Sequence, residues 1–276
     1  MKLSAELQTI VDEATGAKAT PAIARRAIGL LDLTSLNDDD TGDVVEALCR
    51  RAVTPAGPVA AVCVWPRFVA GARRALDGTG VRIATVVNFP GGADDTATVA
   101  KDTRDAVADG ADEIDVVLPY RAFIDGARSQ PQALLRACFD ACGERALMKV
   151  ILEAGQFPTA DLLSWASRDA IAAGAAFLKT STGKTQPAAT LPTTALLLDA
   201  AHDAGRPVGV PVGVKAAGGI RDADTAAAYL HLADAIMGEG WATPRTFRFG
   251  ASGLLDSLLA VVAGKPAGAA EGAAPY

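Results

Sequence analysis

The chain has 276 residues, half of them hydrophobic, enough to fill one large core. One α/β barrel of ~250 residues fits that length as well as two smaller domains. A formal net charge of −6 and a pI near 5.0 argue against nucleic acid or an anionic membrane as partner. No apolar run reaches the ~18 residues that a membrane span needs, and the amphipathic start Met1-Lys2-Leu3-Ser4-Ala5-Glu6-Leu7 has no signal-peptide core, so a cytoplasmic protein is expected.

Residues 3–15 predict an amphipathic helix with Leu3, Leu7, Ile10 and Val11 on one face. A short Gly/Pro-bearing loop follows. Residues 28–34 read as a first strand with one carboxylate, Asp32, inside it. Thr41 is placed to cap a helix to about residue 52, and 59–64 form a second strand. Pro66 opens the next helix. The third strand, 81–88, ends in Phe89-Pro90-Gly91-Gly92, and Asp94 or Asp95 caps a helix to 109. The fourth strand, 113–118, carries Asp115. A short extra turn at 121–127 and a helix over 131–142 follow. The fifth strand, 147–153, carries Lys149 and Glu153, and 158–173 are helical. The sixth strand spans 176–181, with a helix over 190–204. The seventh spans 208–216, followed by Gly218-Gly219 and a helix over 222–235. The eighth spans 246–249, and Gly250-Ala251-Ser252-Gly253 leads into a last helix to about 262. Strand–helix alternation eight times over predicts an α/β protein with a single (β/α)8 TIM barrel over 1–262, an N-terminal helix included; an open doubly wound sheet is the alternative. Residues 263–276 are rich in Ala, Gly and Pro and read as a flexible C-terminal tail.

Lysine is scarce: eight, against eighteen arginines, and Lys149, Lys179, Lys184 and Lys215 fall in or just after predicted strands. A parallel strand buried on both faces should be almost wholly apolar, and a lysine there is costly unless paired or neutralised. Lys179 and Lys215 end what would be neighbouring strands. An amine kept neutral by a nearby cation is one way to make a lysine nucleophile. Asp32, Asp115, Lys149, Glu153, Lys179 and Lys215 all sit late in their strands, and those ends share one face of a barrel, where active sites are built. The alternative is a set of buried ion pairs that only satisfy one another. Gly183-Lys184, Gly218-Gly219 and Gly250 to Gly253 follow strands six, seven and eight; Gly-rich loops and helix N-termini bind phosphate, and the loops after strands seven and eight are the usual barrel phosphate site. A phosphorylated small molecule with a carbonyl follows as substrate class. A lysine imine would serve as the electron sink for breaking or making a carbon–carbon bond. Cys138 and Cys142 have helical i,i+4 spacing, but the two histidines, His202 and His231, are remote, so Cys49, Cys63, Cys138 and Cys142 read as buried apolar fillers and no metal site is expected.

Seven motifs together resemble the deoxyribose-phosphate aldolase family over residues 28–262: Leu31-Asp32-Leu33-Thr34; Asn88-Phe89-Pro90-x-Gly92; Gly110 to Val117; Lys149-Val150-Ile151-Leu152-Glu153; Lys179-Thr180-Ser181-Thr182-Gly183; Lys215-x-Ala217-Gly218-Gly219; and Arg248-Phe249-Gly250-Ala251-Ser252. The resemblance implies a carbon–carbon lyase that reversibly cleaves 2-deoxy-D-ribose 5-phosphate to D-glyceraldehyde 3-phosphate and acetaldehyde. It implies no cofactor, no metal, and a monomer or homodimer. By the same resemblance Lys179 is the Schiff-base lysine and Lys215 the neighbour that depresses its pKa. Asp115 is the proton-transfer acid/base, acting through a water, and Asp32 holds Lys215 and a substrate hydroxyl. Lys184, Gly219 and Ser252 match phosphate contacts, with Thr34, Thr182, Gly183, Gly218, Gly250 and Gly253 around them. Tyr276 is similar to a C-terminal tyrosine that folds over the site and assists proton transfer; at ~3.3 Å per residue the tail can reach back ~40 Å. Two departures stand out. Gly253 replaces a second phosphate-binding serine, and Ala216 replaces a proline after Lys215. Cys63 matches a cysteine that some relatives carry near the site. Another imine-forming phosphosugar aldolase and a non-catalytic phosphosugar-binding barrel remain the competing readings.

Overall fold

Residues of the apolar, β-branched segments alternate between two buried surfaces, and eight such segments close on themselves. The computed structural model describes residues 1–204 and 211–267. Its strands are β1 (Leu31–Thr34), β2 (Ala61–Val64), β3 (Arg82–Val87), β4 (Glu113–Val117), β5 (Leu147–Ile151), β6 (Phe177–Lys179), β7 (Gly213–Ala217) and β8 (Phe247–Ala251). All pairings are parallel between sequence neighbours, and β8 returns to β1 through Asp32↔Gly250, closing the barrel. A parallel pair needs a crossover, and helices supply it: α3 (Gly42–Arg51), α4 (Val69–Ala75), α5 (Thr96–Ala108), α7 (Ser129–Cys142), α8 (Ala160–Ala172), α9 (Leu191–Asp203), α10 (Ala223–Met237) and α11 (Leu254–Val262). The short α6 (Tyr120–Ile124) takes the place of the turn expected at 121–127.

Before the barrel lie α1 (Ala5–Ala14) and α2 (Pro21–Ile28). The segment of α2 reads as a loop in the sequence and proves helical. Thr20 caps it, its side chain accepting from Ile23 N, and Pro21 occupies the first turn, where a missing N–H costs nothing. Ala24, Ala27 and Ile28 bury one face, and Arg26 holds Asp234 on α10 with two hydrogen bonds of 2.6 and 2.7 Å. The first strand therefore starts at Leu31, three residues later than its hydropathy suggests. A two-residue antiparallel ladder, Val53–Thr54 against Gly57–Pro58, precedes β2. The eighth strand extends to Ala251, so Gly250 belongs to the barrel wall. The predicted start of the seventh strand at 208–210 lies outside the described residues, as does most of the tail.

Outward strand residues such as Leu31, Leu33, Val62, Ile114, Val116, Val150, Leu178, Val214, Phe247 and Phe249 form the main core against the helices. The barrel interior has two halves. One is apolar: Ala61, Cys63, Ala84 and Val86, closed above by Leu36, Trp65 and Phe89. The other is filled with charge, and it is the side on which the lysine-bearing strands lie. Among the described residues no helix is long and apolar enough to cross a membrane.

Candidate active site

Strand alternation sends Asp32, Glu113, Asp115, Lys149, Lys179, Lys215 and Arg248 into the barrel, each no more than 2% exposed. Lys149 Nζ lies 2.6 Å from Glu113 Oε2 and 2.9 Å from Asp115 Oδ1, with Asp32 Oδ2 at 3.3 Å. Lys215 Nζ is 2.6 Å from Asp32 Oδ2 and 2.8 Å from Asp115 Oδ2. Lys179 Nζ is 2.8 Å from that same Asp115 Oδ2. The two lysine nitrogens thus flank one oxygen and can be no farther apart than twice that distance. Arg248 closes the lower layer, its guanidinium on Asp32 and, at 2.8 Å, on Glu113 Oε1. The ring of Phe177 lies beneath Arg248 and Lys149, 5.6 and 6.0 Å from the charges, a geometry that favours cations. Two glycines make room: a Cβ at Gly213 would collide with the Phe177 ring, and one at Gly250 would stand 2.9 Å from Lys215 Cε.

Charge balance singles out one amine. Four cations share three carboxylates, so the buried network is neutral only when one cation gives up its proton. Lys149 touches three carboxylates, Lys215 two and Arg248 two; Lys179 touches only Asp115. Arg82 also approaches Glu113, at 3.8 Å, but its side chain is 42% exposed and solvent screens it. Burial pushes the Lys179 pKa below the ordinary lysine value; Asp115 opposes this, and the Lys215 charge adds to the lowering. For Lys215 burial also acts downward, but Asp115 and Asp32 outweigh it and hold its pKa well above the usual value. Lys149 is raised in the same way, by Asp115, Glu113 and Asp32 against burial. Burial acts to raise the Asp115 pKa, yet Lys149, Lys179 and Lys215 hold it well below the carboxylate range. Asp32 is likewise lowered against its own burial, by Lys215, Arg248 and Lys149. The sequence reading attributes the depression of Lys179 to a neighbouring ammonium; in the structure burial is the larger cause and the ammonium the second.

Above this network the strand ends carry the remaining residues. The Thr34 hydroxyl donates to the Asp32 carbonyl at 2.8 Å. The Ser181 and Thr180 hydroxyls both donate to the Ala217 carbonyl, tying the end of β6 to β7. Gly218, at φ +89°, packs so close that a Cβ would be 2.8 Å from that of Ala188 and 3.0 Å from Gly183 Cα. Gly219, Ile220, Arg221, Gly250, Ala251, Ser252 and Gly253 line one small cavity at the start of α11, which brings the glycine loops after β7 and β8 together. Lys184 is exposed, and its Nζ donates to the Leu36 carbonyl at 2.8 Å. It thereby spans from the loop after β6 to the loop after β1. Thr182 does not face the network; its hydroxyl donates to Glu153 Oε2 at 2.6 Å.

The structure thus gathers Asp32, Asp115, Lys179 and Lys215 at one point and the glycine loops after β7 and β8 around one cavity, while the Lys184 amine reaches to the loop after β1. Period-two alternation along an expected strand over 147–153 would put Glu153 on the face of Lys149, and the structure departs from this. The fifth strand ends at Ile151, and Glu153 adopts a left-handed conformation, φ 55°, that turns it toward Thr182. Glu113, Arg248 and Arg221 are absent from the candidates drawn from the sequence. Glu113 lies two residues before Asp115, hence on the same face, and Arg248 is the polar residue of Phe-Arg-Phe; both signals were present. Tyr276 lies outside the described residues. Cys63 is buried within the apolar half of the barrel, its thiol pKa pushed up by burial. Among the described residues no group of three His, Cys, Asp or Glu side chains could hold a metal ion.

A closed parallel barrel with ion-paired lysines in its interior is a (β/α)8 barrel, a fold that builds its active sites at the C-terminal ends of its strands. The chain belongs to the DeoC/LacD aldolase family: that family's model, described as DeoC/LacD family aldolase, matches residues 26–259. Two solved structures that carry the provisional name deoxyribose-phosphate aldolase are similar to it. One, from Toxoplasma gondii ME49, has 25% sequence identity and a TM-score of 0.81, covering 89% of this chain and 96% of its own. The other, from Coccidioides immitis, has 26% identity and a TM-score of 0.74, covering 91% and 96%. The deoxyribose phosphate aldolase of Aeropyrum pernix, described as a tetramer, shares the fold at 24% identity and a TM-score of 0.69, covering 94% and 98%.

Proposed function

We propose that this aldolase cleaves 2-deoxy-D-ribose 5-phosphate reversibly to D-glyceraldehyde 3-phosphate and acetaldehyde through an imine on Lys179. The observation that carries the reading is the charge count: in a network that one deprotonation makes neutral, Lys179 is the amine with the fewest carboxylates. Its lone pair attacks the C1 carbonyl, and loss of water gives the iminium. Asp115, acting through a water, takes the C3 hydroxyl proton. The C2–C3 electron pair moves onto the iminium, leaving an enamine and free glyceraldehyde 3-phosphate. Protonation at C2 and hydrolysis then release acetaldehyde and restore the amine. Lys215, held protonated by Asp32 and Asp115, adds its charge to the burial that keeps Lys179 neutral. Lys184, Gly219 and Ser252 take the phosphate, with the surrounding glycine amides, and Tyr276 assists the proton step at C2. No cofactor enters the scheme. A homodimer in the cytoplasm is part of the same proposal.

A coupled assay for glyceraldehyde 3-phosphate released from deoxyribose 5-phosphate tests it, with and without the tail. Turnover is expected from the wild-type chain and none from Lys179→Arg, whose guanidinium stays protonated. Appreciable cleavage by Lys179→Arg would refute the imine route.

A further inference from the structure

Glu153 is fully buried, yet among the described residues it forms no ion pair. Its carboxylate is spent on the loop after β6. The Thr182 hydroxyl donates to Oε2 at 2.6 Å, and Thr182 N points at both oxygens from 3.3 and 3.4 Å. A carboxylate only accepts, so the single Thr182 proton is committed to it. The hydroxyl is left as an acceptor, and Lys184 N donates to it at 3.0 Å. Two hydrogen bonds therefore connect Glu153 to the backbone of Lys184. On its other side Glu153 is anchored to the segment bearing Lys179: Leu152 N donates to the Lys179 carbonyl at 3.0 Å and Ala154 N to the Thr180 carbonyl at 2.7 Å. Two further contacts join the same loops. Gln156 Nε2 donates to the Gln186 carbonyl at 3.0 Å, and Gly155 lies so close to Pro187 that a Cβ would strike its carbonyl oxygen. The left-handed conformation of Glu153 is uncommon for a residue with a Cβ; it is what turns the carboxylate onto Thr182 in place of continuing the strand.

We propose that Glu153 is a positioning residue that fixes the spacing between Lys179 and Lys184, and so sets the preference for phosphorylated over unphosphorylated substrates. This rests on the reading of Lys179 as the imine-forming amine and Lys184 as the phosphate contact. A substrate held at both ends, carbonyl at Lys179 and phosphate at Lys184, gains only if the two amines keep a fixed separation. A substrate without phosphate engages Lys179 alone and is indifferent to that separation. Loosening the loop should therefore penalise one class and spare the other.

The test compares wild type with Glu153→Gln, which keeps the shape and one acceptor, and Glu153→Ala, which removes the brace. Three quantities are measured: kcat/KM on deoxyribose 5-phosphate, kcat/KM on free deoxyribose, and the rate of reductive trapping of acetaldehyde on Lys179. A hydrogen bond to a charged group accounts for roughly a ten- to hundredfold effect. Glu153→Ala is expected to lose about that factor on the phosphorylated substrate, chiefly in KM, with Glu153→Gln between it and wild type. The other two quantities should stay within about twofold, so the ratio of the two kcat/KM values collapses. An unchanged ratio, or a parallel fall in all three quantities, overturns the proposal. Failure of the underlying reading shows separately, as no trapping on Lys179 of the wild-type chain, and takes this proposal with it.

Discussion

Replacing Lys215 with methionine removes one charge from the barrel interior while keeping most of the volume. Lys215 and Lys179 both lie 2.8 Å from Asp115 Oδ2, so their nitrogens are no more than about 5.6 Å from one another. At an effective dielectric constant of about 20, two unit charges at that separation repel by about 3 kcal/mol. That is on the order of a hundredfold in the fraction of Lys179 that is unprotonated at neutral pH. The change in balance acts in the same direction: with Lys215 gone, three cations face three carboxylates, and neutrality requires Lys179 to keep its proton. Asp115 Oδ2 would also serve Lys179 alone. The expectation for Lys215→Met is a loss of about two orders of magnitude in the rate of imine formation at pH 7, recovered in part as pH rises. The acid limb of the rate profile moves to higher pH. The assay is the pH dependence of acetaldehyde trapping by cyanoborohydride, on a variant whose thermal unfolding shows it to be folded. An acid limb that stays where the wild type has it would refute the electrostatic reasoning, whatever happens to the maximal rate.

Gly250→Ala places a methyl group 2.9 Å from Lys215 Cε and from Ala217 Cβ. Overpacking of that kind costs about 1–3 kcal/mol, and turnover should fall with it because Lys215 must move; melting and kcat together check this. Glu113→Gln and Arg248→Met each leave a buried charge short of a partner, worth about 3–5 kcal/mol of lost stability. The double variant should lose less than the sum, read as coupling in a double-mutant cycle of chemical denaturation. The depressed pKa values of Asp32 and Asp115 give stability that is present above the unfolded carboxylate pKa of about 4. It is lost as pH falls through their lower folded values. Asp115→Asn should therefore flatten the dependence of unfolding free energy on pH below about 4, and an unchanged slope would count against that carboxylate's pairing.

The barrel could be read from the sequence because its signal is repeated: eight apolar segments, each followed by a helix, five of the eight capped by a Thr or Asp side chain. The ionic cluster could be read in part, because lysine is scarce and Lys149, Lys179 and Lys215 stand inside apolar runs. What could not be read is who meets whom across the barrel. Asp115 touching three lysines and Lys179 touching one carboxylate follow from closure and register, which fix cross-strand neighbours that no local pattern encodes. Glu113 opens its strand, and strand parity puts it on the face of Asp115. Parity holds only while the strand lasts, and the fifth strand stops two residues before Glu153. The helix at Pro21 carries its own start signal, Thr20 as cap and proline at the first helical position.

The most direct test of an uncharged Lys179 is to map where acetaldehyde becomes fixed under reducing conditions at neutral pH, peptide by peptide, in the folded wild-type protein. The expected result is a single adduct on Lys179, with Lys149 and Lys215, both held protonated by two or more carboxylates, left unmodified. An adduct on Lys215 or Lys149 in its place, or modification of Lys179 only at the alkaline pH of an ordinary lysine, would contradict it.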